Sequence, residues 1–240
     1  MKYTYEWIEH TSSTMDEAKI WAEKNASTAE KVPHFIQAGL QSIGRGKAGR
    51  NWVSKKGNFF STLILHFPHS LDKRGQISFV TGVSVVRALR EFKKNLPVKL
   101  KWPNDFYVEG KKLGGILLEF HDYGQPYLCI AVGINFVSNP AHVSSTHLKK
   151  LGLDLDLHLF RRVFLKNLLE DYKTWVDNGF SKIKNSWISN SLHKDSMVSI
   201  SLGKRKYVGE FHTISDVGEL VLKNEDGKSI VFSTGEVFFE

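Results

Sequence analysis

The chain has 240 residues, 41% of them apolar and 24% charged, with a formal net charge of +8 and a single cysteine. That length can bury a core without metal or disulfide staples, and the composition lies well outside the regime of disorder. One cysteine excludes an intrachain disulfide framework, nothing approaches the roughly 18-residue apolar run of a membrane span, and "MKYTYEWIEH" lacks the apolar stretch of an export signal. The expected address is the cytoplasm, with no membrane contact. The positive balance suits nucleic acid, an anionic small molecule or an acidic protein alike, because long-range potential speeds encounter with each.

Taken in chain order, "TSSTMDEAKIWAEKN" predicts a helix N-capped by Ser13 or Thr14, with Asp16 and Glu17 in its first turn and Met15, Ala18, Trp21 and Ala22 on one face. "HFIQAGLQ" and "FFSTLILHF" read as strands. A second helix is predicted over residues 76–95, with Ile77, Val80, Val85, Ala88, Leu89 and Phe92 inward. "VKLKWP", "DFYVEG", "KLGGILLEF" and "YLCIAVGINF" then succeed one another with short turns, as in an antiparallel meander, and the last of them makes Cys129 a small buried hydrophobe. Further helices are predicted over 157–176 and from near Ser181. After Asp195 come short alternating segments separated by Gly and Asp turns, the pattern of a small β-barrel. The fold class expected is α+β, a mixed sheet flanked by helices over 1–193 with a small barrel over 194–240.

The densest local signal is "GRGKAGR" at residues 44–50. Gly44, Gly46 and Gly49 satisfy G-x-G-x-x-G, but a dinucleotide site needs the last glycine to open a helix toward the pyrophosphate. The segment after Gly49, "RNWVSKKGNFFSTLIL", is instead rich in strand formers and broken by a turn at Lys56 and Gly57. A phosphate loop of the Walker type would need Gly at Gln41 and Ser or Thr at Ala48. There remains a flexible, cation-bearing connection whose Arg45, Lys47 and Arg50 can turn toward one anion, against the blander reading of a basic surface turn.

A second constellation lies in "LKWPNDFYVEGKKLGGILLEF". Pro103 sets Asn104 and Asp105 at a turn, Lys112 stands at the mouth of a strand, and the glycine pair Gly114 and Gly115 inside that strand signals close approach of another group. In "AVGINF", Asn135 comes after a buried strand with a carboxamide that can face a heterocycle edge. The histidines show no metal-ligand spacing beyond "HFPH", read as surface, so no metal site is expected.

Together these residues resemble the biotin protein ligase family. Its pattern Gly-Arg-Gly-Arg-x-Gly-Arg-x-Trp appears as "GRGKAGRNW", its Lys-Trp-Pro-Asn-Asp as "KWPND", its Lys-Leu-x-Gly-Ile-Leu as "KLGGIL" and its Gly-x-Asn strand end as "VGINF". The resemblance implies a class II synthetase-like catalytic domain followed by an SH3-like barrel. It implies adenylation of biotin by ATP with Mg2+, then transfer to a lysine of a carboxylase's biotin carboxyl carrier domain. Ser13, Thr14, Gln41, Gly115 and Leu117 would hold biotin, and Arg45, Gly46 and Lys47 would close over the intermediate. Lys112 would stabilise charge at the α-phosphate and carboxylate, and Arg50, Trp52, Asn104 and Asn135 would serve the nucleotide with Lys47. Asp105 would orient or help deprotonate the acceptor lysine. Two positions depart from the family pattern: Met15 stands where an Asn is usual and lacks its amide, and Lys47 replaces an arginine and so loses the bidentate fork. Family members that repress transcription carry an N-terminal DNA-binding domain. With the Ser-Thr motif at Ser13, none is expected here and no DNA partner; a homodimer stays open. Competing readings are a lipoate ligase of the same superfamily, whose loop resembles Arg-Arg-x-Ser-Gly-Gly-Gly instead, and a basic nucleic-acid-binding module.

Overall fold

The computed structural model describes residues 2–26, 31–202 and 205–239. The chain forms two compact units, Met1–Arg74 with Gly110–Val163, and Gly75–Glu109 with Phe164–Glu240.

In the first unit, β1 (Thr4–Thr11) is joined through α1 (Thr14–Lys24) to β2 (His34–Gln41), and the two strands pair in parallel. Parallel neighbours require such a crossover. Next comes β3 (Phe59–His66), antiparallel to β2. Later in the chain, β6 (Lys111–Asp122) and β7 (Pro126–Ile134) form a hairpin, and β7 docks antiparallel on β3. Within this unit the order is therefore β1-β2-β3-β7-β6, a mixed sheet. Ser13 is the N-cap of α1, accepting from the Met15 N–H, and the helix lays Met15, Ala18 and Ala22 on Ile36, Ile64, Tyr127 and Cys129. Cys129 is fully buried, and burial, helped by nearby Glu119, pushes its thiol up to about 12. It is a core residue, as expected, and inert as a nucleophile at neutral pH.

β1 does not figure among the predicted strands. It is a sheet edge whose residues are mostly exposed, so the usual sign of a strand, a buried apolar stripe, is absent. Lys112, the second residue of β6, stands at the start of that strand as expected.

The second unit holds α2 (Gln76–Phe92), the hairpin β4 (Val98–Lys101) and β5 (Asp105–Val108), α4 (Ser181–Ser189), and most of α3 (Leu157–Asn178). α2 ends at Phe92 rather than at 95: Lys93 turns extended, and Pro97 then disfavours helix at Leu96. Phe79 of α2 meets the Trp187 ring edge-on at 5.1 Å, and Gly82 leaves room for Leu100 and Trp187. β8 (Met197–Leu202), β9 (Arg205–Ile214), β10 (Leu220–Lys223), β11 (Ser229–Phe232) and β12 (Glu236–Phe239) make an antiparallel, SH3-like sheet in the order β11-β10-β9-β8-β12. Its inner side carries Val198, Ile200, Phe211, Ile214, Leu220, Leu222 and Val237.

His193, just before β8, is 2% exposed and packs 4.3 Å from the Phe239 ring. Neither ring nitrogen has a hydrogen-bond partner. Burial, with the Lys101 charge adding to it, lowers its pKa to about 4. The folded state thus resists a proton that the unfolded chain takes up near pH 6.5, so stability is untouched above that pH and falls as pH drops toward 4. We expect this residue to cost about 2 kcal/mol of stability at pH 5 relative to pH 7.5. In His193→Phe that share of the acid sensitivity should vanish, read as a smaller difference between urea midpoints at the two pH values.

Candidate functional site

The site grows from the C-terminal end of β2 and the N-terminus of α1. The Gln41 carboxamide oxygen accepts from the Thr14 backbone N–H at 2.8 Å and from its hydroxyl at 3.1 Å. The Thr62 hydroxyl on β3 donates to the Thr14 hydroxyl at 2.9 Å. On its other side, Gln41 donates through Nε2 to the Ser54 hydroxyl at 2.8 Å, and Ser54 donates to the Trp52 carbonyl at 3.0 Å. Because each hydroxyl has one proton to give, these bonds fix the orientation of the Gln41 amide.

Between Gln41 and Ser54 lies the glycine-rich segment, whose arms pair as a hairpin. The Gly44 carbonyl accepts from the Trp52 N–H at 2.8 Å, the Gly46 N–H donates to the Arg50 carbonyl at 2.7 Å, and Arg45 bridges Asn51. At the tip, Ala48 and Gly49 have φ of 57° and 72°. Two left-handed residues in succession are the signature of a type I′ turn, whose twist matches the strands it joins. Gly44 has a different reason: a Cβ there would sit 2.4 Å from both the Ser54 hydroxyl and the Trp52 carbonyl. As predicted, no helix begins between Gly49 and the short turn ahead of Gln76, and the dinucleotide reading fails on that ground.

The hairpin returns Trp52 to the sheet. Gly115 on β6 pairs directly with Gly133 on β7, so two adjacent strands carry no side chain there. The Trp52 indole fills part of that space, 2.7 Å from where a Gly133 Cβ would stand, with its buried N–H unpartnered. Two residues along β6, Leu117 pairs with Ala131, and both pack against the α1 core. The half-buried Lys112 holds its ammonium 5.6 Å from the centre of the Trp52 ring, a cation–π distance. The Arg45 guanidinium stands 2.9 Å from Asp16 and 3.5 Å from Glu119. Those three side chains are 28–42% exposed, so the pairs are weak and open to competition from another anion. Arg50 donates through Nε to the Lys47 carbonyl.

Asn135, 2% exposed, directs its Nδ2 to the Thr146 carbonyl at 3.1 Å, and its Oδ1 is a buried acceptor with no partner. The backbone of Lys112 pairs with residues 144 and 146 alongside it. Ser13, Thr14, Gln41, Arg45, Gly46, Lys47, Arg50, Trp52, Lys112, Gly115, Leu117 and Asn135 thus belong to one unit. Asn104 and Asp105 belong to the other, at the turn between β4 and β5, where Asp105 pairs with Lys101. Among the described residues, no three His, Cys, Asp or Glu side chains are grouped to hold a metal ion. No helix among them is long and apolar enough to cross a membrane.

Sequence reasoning missed Thr62, Ser54 and Asn58. The first is a polar residue in an otherwise apolar strand. Asn58 accepts through one oxygen from the N–H groups of Phe136, Val137 and Ser138 at 2.9, 2.9 and 3.2 Å, and donates back to the Ser138 carbonyl. It anchors the turn that presents Asn135.

A family model for the biotin/lipoate A/B protein ligase family matches residues 7–136, and one for the biotin protein ligase C-terminal domain matches 195–240. The chain belongs to the biotin protein ligase family. Among the ligases similar to it is a biotin–[acetyl-CoA-carboxylase] ligase of Paracoccus denitrificans, 30% identical over 85% of this chain and 90% of the relative. A bifunctional ligase/repressor of Bacillus subtilis is 26% identical over 92% of this chain and 70% of its own length. In structure, the chain is similar to the ligase of Aquifex aeolicus solved with biotin and ATP, with a TM-score of 0.84 at 28% identity over 99% of both chains.

Removing the Asn58 carboxamide leaves three backbone donors to find water. Asn58→Ala should lower unfolding stability by about 2–4 kcal/mol, while Asn58→Asp, which keeps an acceptor, should lose less. Chemical denaturation with matched m-values checks the ranking.

Proposed function

We propose that this chain is a biotin–[biotin carboxyl-carrier protein] ligase. It activates biotin with ATP and passes the biotinyl group to one lysine of a carboxylase's carrier domain, that of acetyl-CoA carboxylase in the first instance. The observation that carries the reading is the oriented Thr62–Thr14–Gln41 network together with the side-chain-free Gly115–Gly133 pair, on which the Trp52 indole lies with the Lys112 ammonium next to it. A neutral polar head is served by fixed amide and hydroxyl groups, and a carboxylate by the ammonium next to them. Biotin offers both ends. Ser13, Thr14, Gln41, Gly115 and Leu117 are assigned to it; Met15, buried in the α1 core, adds apolar wall in place of an amide.

In the first step a biotin carboxylate oxygen attacks the α-phosphorus of ATP, the bond to the bridging oxygen breaks, and pyrophosphate leaves. Lys112 offsets the charge that builds on the reacting oxygens. Arg45 leaves its weak pairing with Asp16 and Glu119 for the new anion, with Gly46 allowing close backbone approach and Lys47 and Arg50 contributing charge. Trp52 covers the nucleotide, and the orphan Oδ1 of Asn135 accepts from the adenine amino group. Mg2+ arrives with ATP. In the second step the acceptor amine attacks the acyl carbon, AMP leaves, and a proton is released. That amine needs help, since with a pKa near 10.4 only a few in about 10⁴ are neutral at pH 7. Asp105 is assigned to it, and Asn104 to the nucleotide, through the "KWPND" resemblance. Residues 1–193 are taken as the catalytic domain and 194–240 as the appended one, in line with the C-terminal family model. The reaction is placed in the cytoplasm.

Incubated with biotin, Mg-ATP and a carrier domain, the protein should raise the carrier mass by one biotinyl group. No increment, with a known ligase succeeding in parallel, sinks the assignment, and exchange of pyrophosphate into ATP driven by lipoate alone moves it to the sister activity. Lys112→Ala should slow adenylate formation by about 10²–10³-fold with an unchanged melting temperature. Near-normal turnover would remove Lys112 from the mechanism.

A further inference from the structure

We propose that Ser54 is a positioning residue that couples occupancy of the biotin pocket to the glycine hairpin; the inference rests on the biotin ligase reading. Ser54 is 6% exposed and makes two directed bonds, accepting from Gln41 Nε2 and donating to the Trp52 carbonyl. Gln41 holds the α1 N-terminus through Thr14, and Trp52 closes the hairpin stem through its N–H to the Gly44 carbonyl. One hydroxyl therefore bonds both Gln41 and the base of the hairpin that carries Arg45, Lys47 and Arg50.

The link has a definite polarity. Thr62 donates to Thr14, Thr14 to Gln41, Gln41 to Ser54, and Ser54 to Trp52, so a group that reorients the Gln41 amide changes what the Ser54 proton can do. Gly44 leaves open the volume that the Ser54 hydroxyl occupies, since a Cβ there would stand 2.4 Å from it. The first glycine of the motif is thereby explained by the serine ten residues later. Ser54 touches neither reactant in this scheme and acts through Gln41 and Trp52.

A positional role predicts a loss of coupling rather than of binding. Calorimetry should first give the affinity for biotin alone, then the affinity for a non-hydrolysable ATP analogue with and without saturating biotin. In the wild type, biotin should tighten the analogue. In Ser54→Ala the affinity for biotin alone should change by less than about threefold, and the tightening should fall by about tenfold, the scale of one lost hydrogen bond. Ser54→Thr, which keeps the hydroxyl, should recover most of it. Ser54→Cys, which keeps the volume but weakens both bonds, should show a partial loss in the same direction and serves if Ser54→Ala does not fold. Undiminished tightening in Ser54→Ala, or its absence in a wild type that biotinylates its carrier, would overturn the proposal and leave the ligase assignment standing. Failure of the wild type to bind biotin would overturn both.

Discussion

The rest of the site depends on a place where two neighbouring strands have no side chains. Gly115 faces Gly133 across the β6–β7 ladder, and a methyl group on Gly133 would collide with the Trp52 indole. Glycine inside a strand weakens it, giving up packing and adding backbone entropy to lose on folding. Here the gap is bounded by a tryptophan from a segment more than sixty residues earlier in the chain. That tryptophan lies on the returning arm of the glycine hairpin, so the missing Cβ of Gly133 makes room for the arm that leads back from Arg45, Lys47 and Arg50.

Around that gap the chemistry is divided by strength. The Thr62–Thr14–Gln41–Ser54 chain is built from neutral groups whose hydrogen bonds satisfy one another, an arrangement that gives orientation at modest net energy. The charged groups stand at its edge, where water still screens them, and Arg45 is paired with Asp16 and Glu119 only loosely. Burying such pairs would have made them harder to exchange, because a desolvated ion cannot leave one partner before finding another. A site that must bind an anion, change it and release it gains from cations that are easily traded.

Much of this is legible in the sequence because the signals are local. The N-cap at Ser13, the apolar face of α1, the strand at "HFIQAGLQ" and the burial of Cys129 all come from spacing within one element. The cationic loop and Lys112 stand out by composition and family pattern. The features that escape detection depend on partners far away in the chain: Asn58 serves a turn about eighty residues on, and Thr62 bonds a hydroxyl on another element. β1 is hard to see because an edge strand buries little, and the hairpin form of "GRGKAGRNW" because Ala48, not glycine or asparagine, takes the first left-handed position. The strands and helices of the second unit are plain in its apolar spacing, yet that spacing alone carries α2 past Phe92, where Lys93 turns extended.

The burial of Cys129 reaches beyond the core it fills. With its one sulfhydryl out of contact with water and held protonated, the chain presents no thiol for an alkylating or oxidising reagent to find. The enzyme is therefore a ready-made blank for chemical labelling. A thiol introduced at the exposed Ala48 would be the sole reactive sulfhydryl in the molecule, and a dye placed on it would ride the tip of the hairpin.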